Sequence, residues 1–175
     1  MRKTAALLAC LSLLSCATSY QTEGISKTTV LPGTSTGDSV TAIPGAEYDA
    51  GWLHRVFFGD HYRDLWAAPV RVPVLDLTSF AGGLRPVEKG GGFQTKSLRF
   101  IGADRQYYKF RSVDKNPRAI LPLELRETVA GDIAQDHIST SHPCGSLIVD
   151  HLAKAVGVPT LDAQLIYLPD DSHLG

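Results

Sequence analysis

Ser97-Leu98-Arg99-Phe100-Ile101-Gly102-Ala103-Asp104-Arg105-Gln106-Tyr107-Tyr108-Lys109-Phe110-Arg111-Ser112-Val113 is the stretch that decides the fold class. Two runs that alternate apolar and charged residues flank Gly102-Ala103-Asp104-Arg105, whose composition is that of a turn, so the stretch reads as a β-hairpin. Downstream, Pro122 opens a segment in which Leu125, Val129, Ile133 and His137 recur every fourth residue, with Ala130, Ala134 and Ile138 beside them. That spacing predicts an amphipathic helix. A second helix begins near Ser141 and Pro143, carries Leu147, Ile148, His151, Leu152 and Ala155 on one face, and stops at Gly157 and Pro159. Residues 163–168 read as a last strand before the turn at Pro169-Asp170-Asp171.

Upstream, Val70, Val72 and Val74 alternate against Arg71 and Pro73, which predicts a strand over 70–77 with Pro73 at an edge or start. Before it, Trp52, Leu53, Val56, Phe57 and Phe58, then Tyr62, Leu65 and Trp66, predict one or two short helices. The sum is an α+β domain: a small antiparallel sheet with two or more packed helices, preceded by a disordered tether. The chain ends directly after a strand and a turn, so an incomplete domain, the N-terminal fragment of a longer protein, is expected.

The N-terminal end has a different character. Met1-Arg2-Lys3 precedes an apolar run of about a dozen residues, too short for a membrane span of roughly 20 but suited to a signal peptide. Its junction, Leu13-Leu14-Ser15-Cys16, resembles the lipobox of bacterial lipoproteins, which implies cleavage before Cys16 and acylation of that residue. Ala17, where enteric sorting would use Asp for inner-membrane retention, points to the outer membrane. Residues 17–50 are rich in Ser, Thr and Gly and read as a flexible linker. The expected organisation is a lipoprotein signal peptide over 1–15, a lipid-anchored linker over 16–50 and an α+β domain over 51–175. Cleavage and lipidation would leave Cys144 as the lone thiol in an oxidising compartment, so no intrachain disulfide is expected. With 17 basic and 18 acidic residues, the chain suggests neither nucleic-acid binding nor an electrostatic membrane patch.

Few residues form a chemical constellation. Gly90-Gly91-Gly92-Phe93-Gln94-Thr95-Lys96-Ser97 approaches a phosphate-binding loop, but Thr95 stands where the second glycine is needed, and a strand follows instead of a helix. A glycine loop between strands is also how kinase-like N-lobes cover a nucleotide. In that arrangement Gly90, Gly91 and Gly92 would cover phosphates that Lys115, or Lys109 and Arg111, could meet, with Glu127 or Glu124 as ion-pair partner. Solvated charges beside a glycine-rich hairpin are the commoner explanation. His61 and Asp64 suit a solvated helix face. Cys144 at a helix start beside His142 could be an activated thiol, though no orienting Asn or Asp accompanies them. Asp132 and Asp136 share a helix face without a third ligand, so no metal site is expected, and they too read as solvated.

Tyr62-Arg63-Asp64-Leu65-Trp66-Ala67-Ala68-Pro69-Val70, Val74-Leu75-Asp76-Leu77, Gly82-Gly83-Leu84-Arg85-Pro86-Val87, the glycine segment through Arg99, and Phe110-Arg111-Ser112-Val113-Asp114-Lys115 resemble a family of large bacterial envelope proteins. Some of its members join this region to a calcineurin-like metallophosphoesterase domain or to a surface-antigen-type outer-membrane barrel. The region also looks like the N-lobe of HipA-type and spore-coat-type atypical kinases, which continue to a G-D-W-D-R-H-like motif. The resemblance runs from about Trp52 to Gly175. This chain has no G-D-W-D-R-H, no D-x-H or G-N-H-[DE] metal motif, and no barrel-length series of strands. Cys144 stands where the resemblance implies an aromatic residue.

Three functional expectations follow. The first is a lipid-anchored cell-envelope protein, non-catalytic or incomplete, held at a membrane through Cys16 and needing no cofactor. The second is the nucleotide-covering half of a kinase-like phosphotransferase, with ATP and Mg as its cofactors, although ATP is scarce outside the cytoplasm. The third is an envelope scaffold that binds a protein partner, signalled by an exposed apolar face around Trp52, Phe57 and Trp66.

Overall fold

The computed structural model describes residues 29–31, 38–91 and 94–170; the signal peptide expected over 1–15, Cys16 and Gly92 lie outside them. The chain is α+β, with two three-stranded antiparallel sheets and five short α-helices among these residues. The first sheet joins β1 (Thr29–Val30), β2 (Ser39–Ile43) and β3 (Val70–Pro73) in that order. Between β2 and β3 come α1 (Trp52–Phe58) and α2 (Arg63–Ala67). The second sheet is the meander β4 (Leu84–Gly90), β5 (Ser97–Gly102) and β6 (Tyr107–Arg111). Helices α3 (Leu123–Arg126), α4 (Val129–Asp136) and α5 (Gly145–Ala155) follow.

The domain starts earlier than composition suggests. Residues 39–50 were expected in the linker, yet β2 pairs with β3 from Ser39↔Pro73 to Ala42↔Val70, and Val40, Ala42 and Tyr48 are buried. Only two small apolar side chains alternate with Ser39, Thr41 and Ile43, so the period-2 signal is weak in sequence, and the partner strand supplies what the pattern lacks. The hairpin at the centre of the sequence forms as read, with Phe100 opposite Tyr108 and Leu98 opposite Phe110. Pro73 does lie on an edge strand, and its carbonyl accepts the amide of Tyr167 at 2.8 Å. The strand expected over 163–168 contracts to a parallel bridge between Tyr167 and Val74, while Ile166 and Leu168 pack toward the core as that alternation requires.

The single helix expected from Pro122 is broken. Arg118 Nη1 donates to the carbonyl of Arg126 at 2.8 Å, an acceptor that an unbroken helix would use for the amide four residues on. Thr128 is extended, and α4 restarts beyond it. Gly131 then lies so close to α3 that a Cβ there would sit 2.1 Å from the Arg126 carbonyl oxygen. Gly131→Ala should therefore destabilise the fold, although alanine is the better helix former, by about 1–3 kcal/mol as other overpacked sites do. A urea titration that shows a gain in stability would contradict this packing.

Two apolar clusters hold the molecule. Leu75, Leu77, Leu84 and Phe100 gather Leu98, Tyr108, Phe110, Ile166 and Leu168 under the second sheet. Tyr48, Trp66 and Ile138, with Val113, close the helical side.

Candidate functional site: an aromatic helix held by a buried ion pair

Helix α1 is turned inside out. Trp52, Leu53, Val56 and Phe57, at spacings of one and four, form a face in solvent, with Trp52 75 % and Phe57 76 % exposed. The opposite face is polar and is the one that holds the helix. His54 Nε2 donates to Asp136 Oδ1 at 3.0 Å, while its ring stacks on Phe58 with centroids 4.6 Å apart. Arg55 donates to the Ala50 carbonyl at 2.8 Å and pairs with Asp49, Asp60 and Asp64. Gly59 ends the helix at φ +90°, a left-handed position where any side chain is strained, and a Cβ there would meet the His61 ring at 2.3 Å.

Beneath α1 lies an ion pair that sequence reading missed. Arg63, fully buried, donates from Nη1 and Nη2 to the two carboxylate oxygens of Asp136, each at 2.7 Å. Its Nε donates to the Gly59 carbonyl at 2.9 Å, and Nη1 also reaches the Tyr48 carbonyl at 3.3 Å. One guanidinium thus ties the end of α1, the start of α2, the turn at Tyr48 and the end of α4. Asp136 was expected on a solvated face with Asp132; it is instead this anchor, whereas Asp132 pairs with Arg118. Tyr48 and Gln135 nearby are hydrogen-bonded as well. Tyr48 donates its hydroxyl to Asp114 Oδ1 at 2.6 Å, and Gln135 Nε2 donates to the Tyr48 hydroxyl at 2.7 Å and to the Lys115 carbonyl at 2.9 Å.

These contacts set the local titration. Burial works to raise the Asp136 carboxyl, but hydrogen bonds from Arg63 and His54 outweigh it and hold the group below its ordinary value. Burial also raises Asp114, only partly offset by Tyr48, and burial beside Asp114 pushes the Tyr48 phenol well up. A depressed carboxyl contributes stability that is complete above its unfolded value of about 3.9 and is lost as pH falls through the folded one. Asp136→Asn should therefore cost stability at neutral pH and cost progressively less below about pH 4. Urea midpoints of both proteins across that range measure the effect; a difference that does not narrow would contradict it.

Of the residues expected to meet a nucleotide, Lys115 and Glu127 are not brought together among the described residues. Gly90 ends β4, and Gly91, at φ +143°, sits where a Cβ would lie 2.2 Å from the Thr95 carbonyl oxygen, so these glycines serve the β4–β5 connection. Glu127 Oε2 faces Arg118 Nη1 at 4.0 Å, and Lys115 presents its carbonyl to Gln135. Among the described residues no ion pair joins Lys115 to Glu127. The cause is the break after α3, which turns Glu127 toward Arg118. Cys144 is half-buried, and its amide donates to His142 Nδ1 at 3.0 Å, committing that ring nitrogen to the backbone. Among the described residues no cluster of three His, Cys, Asp or Glu side chains could hold a metal ion. No helix among them is long and apolar enough to cross a membrane.

No family model, curated protein or solved structure matches the chain. An exposed apolar, aromatic face on a helix that is held from its other side has the chemistry of a recognition surface.

Trp66, grouped with Trp52 and Phe57 in sequence, is not part of this surface. It is 1 % exposed, donates Nε1–H to the Ser141 carbonyl at 2.8 Å, and meets Tyr48 edge to face at 5.0 Å. No period in the sequence distinguishes the two tryptophans. The signal that could have done so is Arg63, since a buried cation requires a buried carboxylate and carries its own helix inward.

Proposed function

We propose that this protein is a lipid-anchored component of the bacterial cell envelope, attached to the outer membrane through Cys16, whose folded domain is a non-catalytic docking module. The observation that carries the docking role is the exposure of Trp52, Leu53, Val56 and Phe57 on one face of α1. Such a face costs solubility and persists where a partner covers it. Its aromatic and aliphatic side chains suit an envelope protein that offers a complementary apolar surface. The Leu13-Leu14-Ser15-Cys16 junction supports the envelope setting, as does the resemblance to large envelope proteins. Exposed Ile148, Val149 and Leu152 on α5, a helix whose one buried residue is Asp150, extend the apolar surface available to the assembly.

The test is expression in an envelope-bearing host with a photo-crosslinking residue in place of Val56. A single discrete adduct that disappears in a Trp52→Ser/Phe57→Ser variant is expected, with acyl chains on Cys16 in the mass spectrum of the mature protein. The double substitution should move folding stability by no more than about 0.5 kcal/mol per site, because both side chains lie in water. Loss of folding would make this face part of the core, and an unmodified Cys16 would remove the anchor.

A further inference from the structure

Near-neutral composition hides a segregation of charge. The registers of the second sheet flank each outward residue of the central strand β5 with one from each neighbour: Ile101 lies between Arg85 and Tyr107, Arg99 between Glu88 and Lys109, and Ser97 between Gly90 and Arg111. Directly opposed residues share a face, as do alternate residues of one strand. Phe100, Leu98, Tyr108 and Phe110 point the other way, into the core. The outer face therefore carries Arg85, Arg99, Lys109 and Arg111, all exposed, against Glu88 as its one carboxylate. Glu88 is already paired with Arg99 at 2.6 Å. Neighbouring strands lie about 5 Å apart and alternate residues about 7 Å apart, so Arg99, Lys109 and Arg111 each have another of these cations within the Debye length of about 8 Å, while Arg85 extends the positive face at its far corner.

We propose that this face is a second membrane contact, which docks on the anionic headgroups of a phospholipid surface. The proposal rests on the envelope reading of the protein but not on acylation itself. Tyr107, 68 % exposed on the same face, has the apolar ring and polar tip that favour the headgroup layer. Sheets that bind single-stranded nucleic acid stack successive bases on several aromatic side chains; here Tyr107 is the one aromatic among the nine registered positions. Acyl chains combined with a basic patch hold more firmly than either alone, and the patch would also set which face of the domain turns to the lipid.

The experiment uses the full-length chain with Cys16→Ser, so that no acyl chain contributes, and sedimentation with vesicles. Binding to vesicles of phosphatidylcholine and phosphatidylglycerol, falling with added salt, is expected, with little binding to phosphatidylcholine alone. Arg85→Gln/Lys109→Gln/Arg111→Gln, which spares the Arg99–Glu88 pair, should lower partitioning about a hundredfold, at about fivefold per cation. Arg71→Gln on the other sheet should leave it within about twofold, and circular dichroism checks that every variant is folded. Failure of the Cys16→Ser chain to bind anionic vesicles, equal binding by the folded triple variant, or tighter binding to an oligonucleotide at the same salt would each overturn the proposal. Acylation of the unaltered chain is read separately by mass spectrometry, so loss of the anchor and loss of the patch give different results.

Discussion

Arg63→Ala is expected to destabilise the domain by up to about 3–5 kcal/mol, the range found when one partner of a buried ion pair is removed, since Arg63 is fully buried and the Asp136 side chain is 21 % exposed. The substitution leaves Asp136 without its bidentate donor and the carbonyls of Gly59 and Tyr48 without theirs, and each orphaned buried acceptor carries a desolvation penalty. Equilibrium urea unfolding measures the loss. Arg63→Lys should restore little, because one ammonium cannot span both carboxylate oxygens and also reach Gly59. Arg63→Met with Asp136→Leu should cost less than Arg63→Ala alone, since it removes both charges together. If the double variant is the worse of the two, the pair contributes more than its own desolvation. The same series tests the mount of α1, because His54 binds the helix to the carboxylate that Arg63 positions.

Trp66→Ala should cost about 3–5 kcal/mol through the cavity it leaves against Tyr48 and Ile138, and it strands the Ser141 carbonyl as well. Trp52→Ala, the same chemical change fourteen positions earlier, should be nearly neutral in the same denaturation assay. Comparable losses for the two tryptophans would mean that α1 packs its aromatic face inward and that the docking surface proposed above does not exist.

How much of this was legible follows the range of the interactions involved. The hairpin over Ser97 to Val113 was readable because its register depends on near neighbours and one turn. The start of α5, its stop at Gly157 and the edge position of Pro73 were readable for the same reason. The broken helix after Arg126 was not, because the break depends on a side chain, Arg118, capturing a carbonyl that periodicity assigns to the next turn. The candidate site was read in part: Trp52 and Phe57 were marked as a possible exposed face, but Trp66 was placed with them and Asp136 was taken as solvated.

What the sequence by itself determined is thus the α+β class, the central hairpin and the glycine stop after α5. What only the tertiary structure decided is which face of each element is inside. Arg63 and Asp136 are 73 residues apart, and no local pattern couples them. Once they pair beneath α1, His54 turns that side of the helix toward Asp136 and its aromatic side is left in water. The same holds for charge. Arg85, Arg99, Lys109 and Arg111 are dispersed along the chain and balanced by as many acids, and only the pairing of β4, β5 and β6 brings them onto one face.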